Sequence, residues 1–143
     1  MSRPVVIVID TNVVVSALRS ARGASYRVLQ ELEAGSFVMA MSVPLFLEYE
    51  EVIRRFVASG RISAQAMELM LDYLCAHGLA VEVHYLWRPS LADADDEMVL
   101  EAAIAAGSRW IVTHNVKDFA DASGLGIRAI TPGRFLKKME SLS

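Results

Sequence analysis

Apolar residues gather in five short runs, and the stretches between them repeat at helical spacing. The runs are Val5–Ile9, Phe37–Met41, Leu79–Tyr85, Trp110–Thr113 and Ile127–Ile130. Val5-Val6-Ile7-Val8-Ile9 is apolar without a break, the pattern of a strand covered by helices on both faces. Leu79 to Tyr85 partly alternates with Glu82 and His84, which predicts a place nearer a sheet edge.

The intervening stretches predict helices with recognisable ends. Ser25 to Ala34 sets Val28, Leu29 and Leu32 on one face and stops at Gly35. Pro44 suits the first turn of a helix through Leu45, Leu47, Val52, Ile53 and Phe56. Ser63 caps a helix bearing Met67, Met70, Leu71 and Leu74, which stops at Gly78. Another begins at Asp93, Asp95 or Asp96 and packs through Met98, Val99, Ala102, Ala103 and Ala106, closing at Gly107. Thr131-Pro132-Gly133 opens a final helix through Phe135, Leu136 and Met139. Strands alternating with helices imply right-handed crossovers and an α/β fold with a mostly parallel sheet of about five strands. Leu86 to Leu91 is the longest loop candidate and leads into a cluster of acids. No internal repeat, low-complexity tract or linker divides the chain.

Composition narrows the class. With 143 residues, 54% of them hydrophobic and 22% charged, residues 1–143 are expected to form one domain rather than a disordered chain. A formal net charge of -3 neither supports nor excludes a nucleic-acid substrate, because a local stripe of Arg or Lys suffices for phosphate contact. The single Cys75 cannot form an internal disulfide, and its neighbours Leu74 and Ala76 predict a buried helix face for it. Val5 to Ile9 is too short for a signal sequence and no run reaches the roughly 18 apolar residues of a membrane span. The expectation is a soluble protein of a reducing compartment, the cytoplasm, with no membrane partner.

Acids then supply the candidate chemistry. Asp10 ends the first apolar run, and in an open parallel sheet that position faces the crevice where ligands bind. The alternative for Asp10 is to cap the helix starting near Asn12. Thr11 and Asn12 can hydrogen-bond Asp10 or a phosphate, or serve as turn residues. Glu48 falls three residues after Leu45 and four before Val52, on the inward stripe of its helix, whereas Glu50 and Glu51 point elsewhere. Asp93-Ala94-Asp95-Asp96-Glu97 holds more acids than a helix start needs, and Asp96 sits best to face the sheet, with Asp93 or Asp95 as a supplement. Asn115 and Asp118 follow the strand Trp110–Thr113, again at a carboxyl end. His114 there is expected to be solvated rather than a general base.

Carboxylates sharing a crevice repel one another unless a cation lies between them, so Asp10, Glu48 and Asp96 predict a magnesium or manganese site with one or two ions. No nucleophile elbow, phosphate-binding glycine loop, dinucleotide fingerprint or zinc spacing is present. Metal-activated water attacking a phosphodiester is the economical mechanism.

The motifs Val8-Ile9-Asp10-Thr11-Asn12-Val13, Asp95-Asp96-Glu97-Met98-Val99-Leu100, Ile111-Val112-Thr113-His114-Asn115 and Asp118-Phe119, with Glu48 between, give the chain a family resemblance. In their order and spacing, and in the ending Ile130-Thr131-Pro132-Gly133-Arg134-Phe135-Leu136, it resembles PIN-domain nucleases. The resemblance covers almost the whole chain and is specifically to toxin components of bacterial toxin–antitoxin pairs, related to the VapC-type ribonuclease toxins. It implies a three-layer α/β/α sandwich, magnesium or manganese dependence and endonucleolytic cleavage of RNA. It also implies a homodimer and an antitoxin whose peptide covers the site. Asp10, Glu48 and Asp96 match the family's acidic triad as catalytic, metal-holding residues. The fourth acidic place is held by the neutral Asn115, for which Asp118 is a substitute. Substrate contact would fall to Thr11, Asn12, Thr113, Arg19, Arg22, Arg54, Arg55, Arg88 and Lys117, with Trp87 as a base-stacking candidate. Two other readings stay open. Asp10 can be an aspartyl nucleophile, although Asn12 replaces the second aspartate typical of haloacid-dehalogenase-like phosphatases. The fold can also be a non-catalytic scaffold that binds RNA or a protein.

Overall fold

The computed structural model describes residues 4–83 and 94–142. The strands are β1 Val5–Ile9, β2 Phe37–Met41, β3 Gly78–Ala80, β4 Trp110–Val112 and β5 Arg128–Ile130. They form one sheet in the order β3-β2-β1-β4-β5, and every pairing is parallel. The helices are α1 Thr11–Arg19, α2 Ala24–Gln30, α3 Val43–Ala58, α4 Ala64–His77, α5 Ala94–Ala106 and α6 Pro132–Leu142, and a kinked 3-10 segment spans Val116–Leu125. The three-layer α/β/α architecture with a parallel five-stranded sheet agrees with the sequence expectation.

Strand order decides where a ligand can sit. The chain winds outward from β1 to β2 and β3, then returns through α5 to the other side of β1 as β4 and β5. The winding reverses between β1 and β4, so a crevice opens at their carboxyl ends, where such sheets bind ligands. The backbone N–H of Asp10 donates to the Val112 carbonyl over 2.9 Å, extending the β1–β4 ladder to the rim of that crevice.

Below the rim the core is apolar. Ile7, Val8 and Ile9 of β1 are all fully buried, as an unbroken apolar run in a central strand requires. The Phe37 ring meets Phe135 of α6 edge-on at 4.9 Å between centroids. Ser42 and Ser63 cap α3 and α4 by accepting from Leu45 N–H at 3.2 Å and Ala66 N–H at 3.0 Å.

Three expectations need correction. Cys75 is exposed, because α4 buries Leu74 and the next residue lies about 100° further round the helix. Helix α2 ends at Gln30 instead of reaching Ala34: the Leu29 carbonyl accepts from the Tyr73 hydroxyl at 2.5 Å and from Leu32 N–H at 3.2 Å. The chain then turns, and Gly35 takes a φ of 76° that suits glycine. The third strand starts earlier than the run Leu79–Tyr85 and is shorter, covering Gly78–Ala80 at the sheet edge beside β2. The residues from His84 to Asp93, among them Tyr85, Trp87, Arg88 and the acid Asp93, lie outside the described residues.

Candidate active site

Asp10 follows β1 directly and occupies the N-cap position of α1, yet its side chain makes no cap hydrogen bond. Its Oδ2 instead accepts from the Thr113 hydroxyl at 2.7 Å, a bond between the residues that follow β1 and β4. Thr113 is fully buried and its Oγ1 also accepts from Asn115 N–H at 3.0 Å. These bonds commit Thr113 to holding Asp10 and the start of the following loop. Burial raises the Asp10 carboxyl above its ordinary range despite hydrogen bonds from Thr113 and the Thr11 backbone; nearby Asp118 adds to the rise and His114 opposes it.

Helix α3 brings up Glu48. The stripe it buries in the core is Leu45, Tyr49 and Ile53, spaced four residues apart. Glu48, Val52 and Phe56 form the adjoining stripe, half-buried, and face a cavity instead. Sequence spacing had merged these two stripes into one. Burial is the main cause that raises the Glu48 carboxyl, with Asp95, Glu51 and Asp10 adding to it and Arg55 opposing. Tyr49 has no counterpart in the sequence expectations. Its hydroxyl donates to the carbonyl of Ile9, tying α3 to the end of β1 next to Asp10. Its position four residues from both Leu45 and Ile53 was the available signal.

The acids share one cavity of about 560 Å³, whose wall includes Asp10, Glu48, Asp95, Asp96, Asn115 and Asp118. Roomier cavities open elsewhere, so chemistry rather than volume singles out this one. Thr11 and Asn12 line it too, and Asn12 Oδ1 accepts from His114 N–H at 3.3 Å, fastening the loop after β4 to α1. The His114 ring is hydrogen-bonded through Nε2 to Ser25 Oγ at 3.0 Å, so it is anchored rather than merely solvated. Asp96 is half-buried and Glu97, beside it, is buried.

The basic candidates separate. Arg19 lines the cavity with its guanidinium 5.5 Å from the centroid of the Phe56 ring. Arg54 and Arg55 are exposed and pair with Glu50 at 3.4 Å and Glu51 at 3.0 Å one turn earlier, away from the cavity wall. Arg22 and Lys117 are exposed and also stand outside that wall.

Among the described residues, no group of three or more His, Cys, Asp or Glu side chains is arranged to hold a metal ion as it stands. The expected triad therefore surrounds a cavity without forming a finished chelate. The donor set still fits a hard cation. Magnesium keeps several of its waters and is commonly held by only one or two carboxylates, and the oxygens here come from Asp, Glu and Asn. Mutual repulsion among Asp10, Glu48, Asp95 and Asp118 is the electrostatic condition that a cation relieves.

Comparison with known proteins adds two findings. A family model described as PIN domain matches residues 6–117. The fold is similar to a chain in the crystal structure of VapBC2 from Rickettsia felis bound to a DNA fragment from their promoter, with TM-score 0.61 and 17% sequence identity over 88% of this chain and 98% of that one. No curated protein sequence gives a match.

Proposed function

The chain belongs to the PIN-domain family, and on that premise we propose that it is a divalent-metal-dependent endoribonuclease. The observation that carries the reading is the cavity at the β1–β4 reversal, whose wall includes Asp10, Glu48 and Asp96 from three separate parts of the chain. Asp10, Glu48 and Asp96 would hold Mg²⁺ or Mn²⁺, with Asn115 offering a neutral oxygen and Asp118 a further charge. The bound cation would lower the pKa of an attacking water and polarise the phosphodiester. Thr113 fixes the direction of the Asp10 carboxylate through its 2.7 Å hydrogen bond. Asn12 and His114 brace the loop that carries Asn115. Arg19, steadied over Phe56, would pair with a substrate phosphate at the cavity rim.

Likeness to the VapBC2 chain supports a role as the toxin of a toxin–antitoxin pair. Val43 and Leu47, one turn apart on α3 and both exposed, offer apolar surface to an antitoxin or a second copy in a homodimer. No helix among the described residues is long and apolar enough to cross a membrane; the cytoplasm is the compartment that a toxin acting on cellular RNA requires.

A second reading, a scaffold that binds RNA without cutting it, is favoured by the neutral Asn115 in place of an acid on the cavity wall. One experiment separates the two. A mixed RNA pool is incubated with the protein in Mn²⁺ or in EDTA, and the new ends are mapped. Discrete ends in Mn²⁺ alone support the nuclease. Binding without new ends supports the scaffold.

A further inference from the structure

The amino ends of β4 and β5, opposite the carboxylates, open on a second cavity of about 830 Å³. Its wall includes Arg109, Arg128 and Lys138 and, among the described residues, contains neither Asp nor Glu. In a chain with 17 acids against 14 Lys and Arg, an acid-free cavity with three cations departs from the composition. The cations arrive from three elements and the backbone beneath two of them is fixed. Arg128 N–H donates to the Arg109 carbonyl at 2.8 Å, and Trp110 is the register partner of Arg128. Ser108 Oγ donates to the Val6 and Trp110 carbonyls at 2.7 and 2.9 Å, pinning the start of β4 against β1. Lys138 reaches over from α6 with its Nζ 5.0 Å from the centroid of the half-buried Trp110 ring.

Arg54 and Arg55 spend their charge on neighbouring glutamates, but among the described residues no ion pair involves Arg109, Arg128 or Lys138. Like charges gathered in a concave, partly apolar wall focus a positive potential and attract a polyanion. We infer that this cavity binds phosphates of a single-stranded RNA, upstream or downstream of the segment that enters the carboxylate site. The RNA identity of the ligand rests on the nuclease reading above; the phosphate-binding character rests on the cations themselves. The two cavities open at opposite ends of β4, itself about 10 Å long, so only an RNA of several nucleotides running round the outside of the fold reaches both.

The test is binding of a fluorescent single-stranded RNA to the full chain in EDTA, followed by anisotropy across a salt series. The double variant Arg128→Gln/Lys138→Gln is compared with wild type and with a charge-matched control, Arg61→Gln/Lys137→Gln, whose residues are exposed and outside this cavity. Thermal melting verifies that each variant is folded. Losing two phosphate contacts should lower the slope of log K against log salt by about 1.4 and weaken binding roughly 25-fold near 0.1 M salt. The control should keep the wild-type slope. Equal slopes for all three proteins would overturn this site and leave the nuclease reading standing. Wild-type protein that neither binds RNA nor cuts it in Mn²⁺ would overturn both. An equal loss of affinity for duplex DNA of the same length would overturn the assignment to an RNA strand.

Discussion

The Thr113 hydroxyl donates to Asp10 Oδ2 at 2.7 Å, so the carboxylate at the centre of the site is aimed by the residue that follows the neighbouring strand. Thr113→Val keeps the shape and removes the donor. Loss of a buried hydrogen bond to a carboxylate should cost about 1–3 kcal/mol in denaturant unfolding. Because that bond lowers the Asp10 pKa, the acid limb of the pH–rate profile should move to higher pH. An unmoved limb would detach Thr113 from the chemistry.

Asp10→Asn should abolish metal-dependent RNA cleavage while leaving the protein folded. Its effect on stability has a defined sign. A buried carboxyl with a raised pKa favours folding when protonated, and that contribution is lost as pH rises through the folded-state value. In EDTA, therefore, the asparagine variant should melt higher than wild type at neutral pH, and the gap should close as the buffer is acidified below the ordinary carboxylate range. Melting curves across pH decide it. A gap that widens on acidification would contradict the burial argument.

Glu48→Gln should weaken Mn²⁺ binding by calorimetry. Since burial raises the Glu48 and Asp10 carboxyls, wild-type affinity should fall with acidification at a higher pH than ordinary carboxylates would give. Unchanged affinity in the variant would shift the ligand role to Asp95, which lines the same cavity.

Tyr49→Phe removes the hydroxyl that the Ile9 carbonyl accepts from and should destabilise the fold by about 1–3 kcal/mol. Tyr49 stands behind Asp10 in the core, so turnover by the folded variant should stay near wild type. A large loss of kcat with little loss of stability would instead place Tyr49 in the reaction.

Much of the fold was legible because its signals are local. The unbroken run Val5–Ile9 announces a doubly covered strand, Pro44 stands in the first turn of α3, and Ser63 stands where α4 needs a cap. Asp10 was legible because strand end and crevice coincide in a parallel sheet. What stayed hidden depends on partners distant in sequence. The early end of α2 follows from Tyr73, 44 residues away from Leu29. The role of Thr113 depends on Asp10, 103 residues earlier, and nothing in Trp110–Thr113 itself separates a positioning hydroxyl from a substrate contact. The spacing put Glu48 on one inward stripe with Leu45 and Val52, and only packing reveals that this side of α3 divides into a core stripe through Tyr49 and a cavity stripe through Phe56.

A divalent cation held among Asp10 after β1, Glu48 of α3 and Asp96 of α5 is what the nuclease reading requires. Anomalous diffraction from crystals soaked in Mn²⁺ addresses it directly. The expected result is a peak inside the cavity, about 2.1 Å from an Asp10 oxygen and linked directly or through water to Glu48 and Asp96. Manganese found only at other surfaces, with this cavity empty at saturating concentration, would rule out a cation site there.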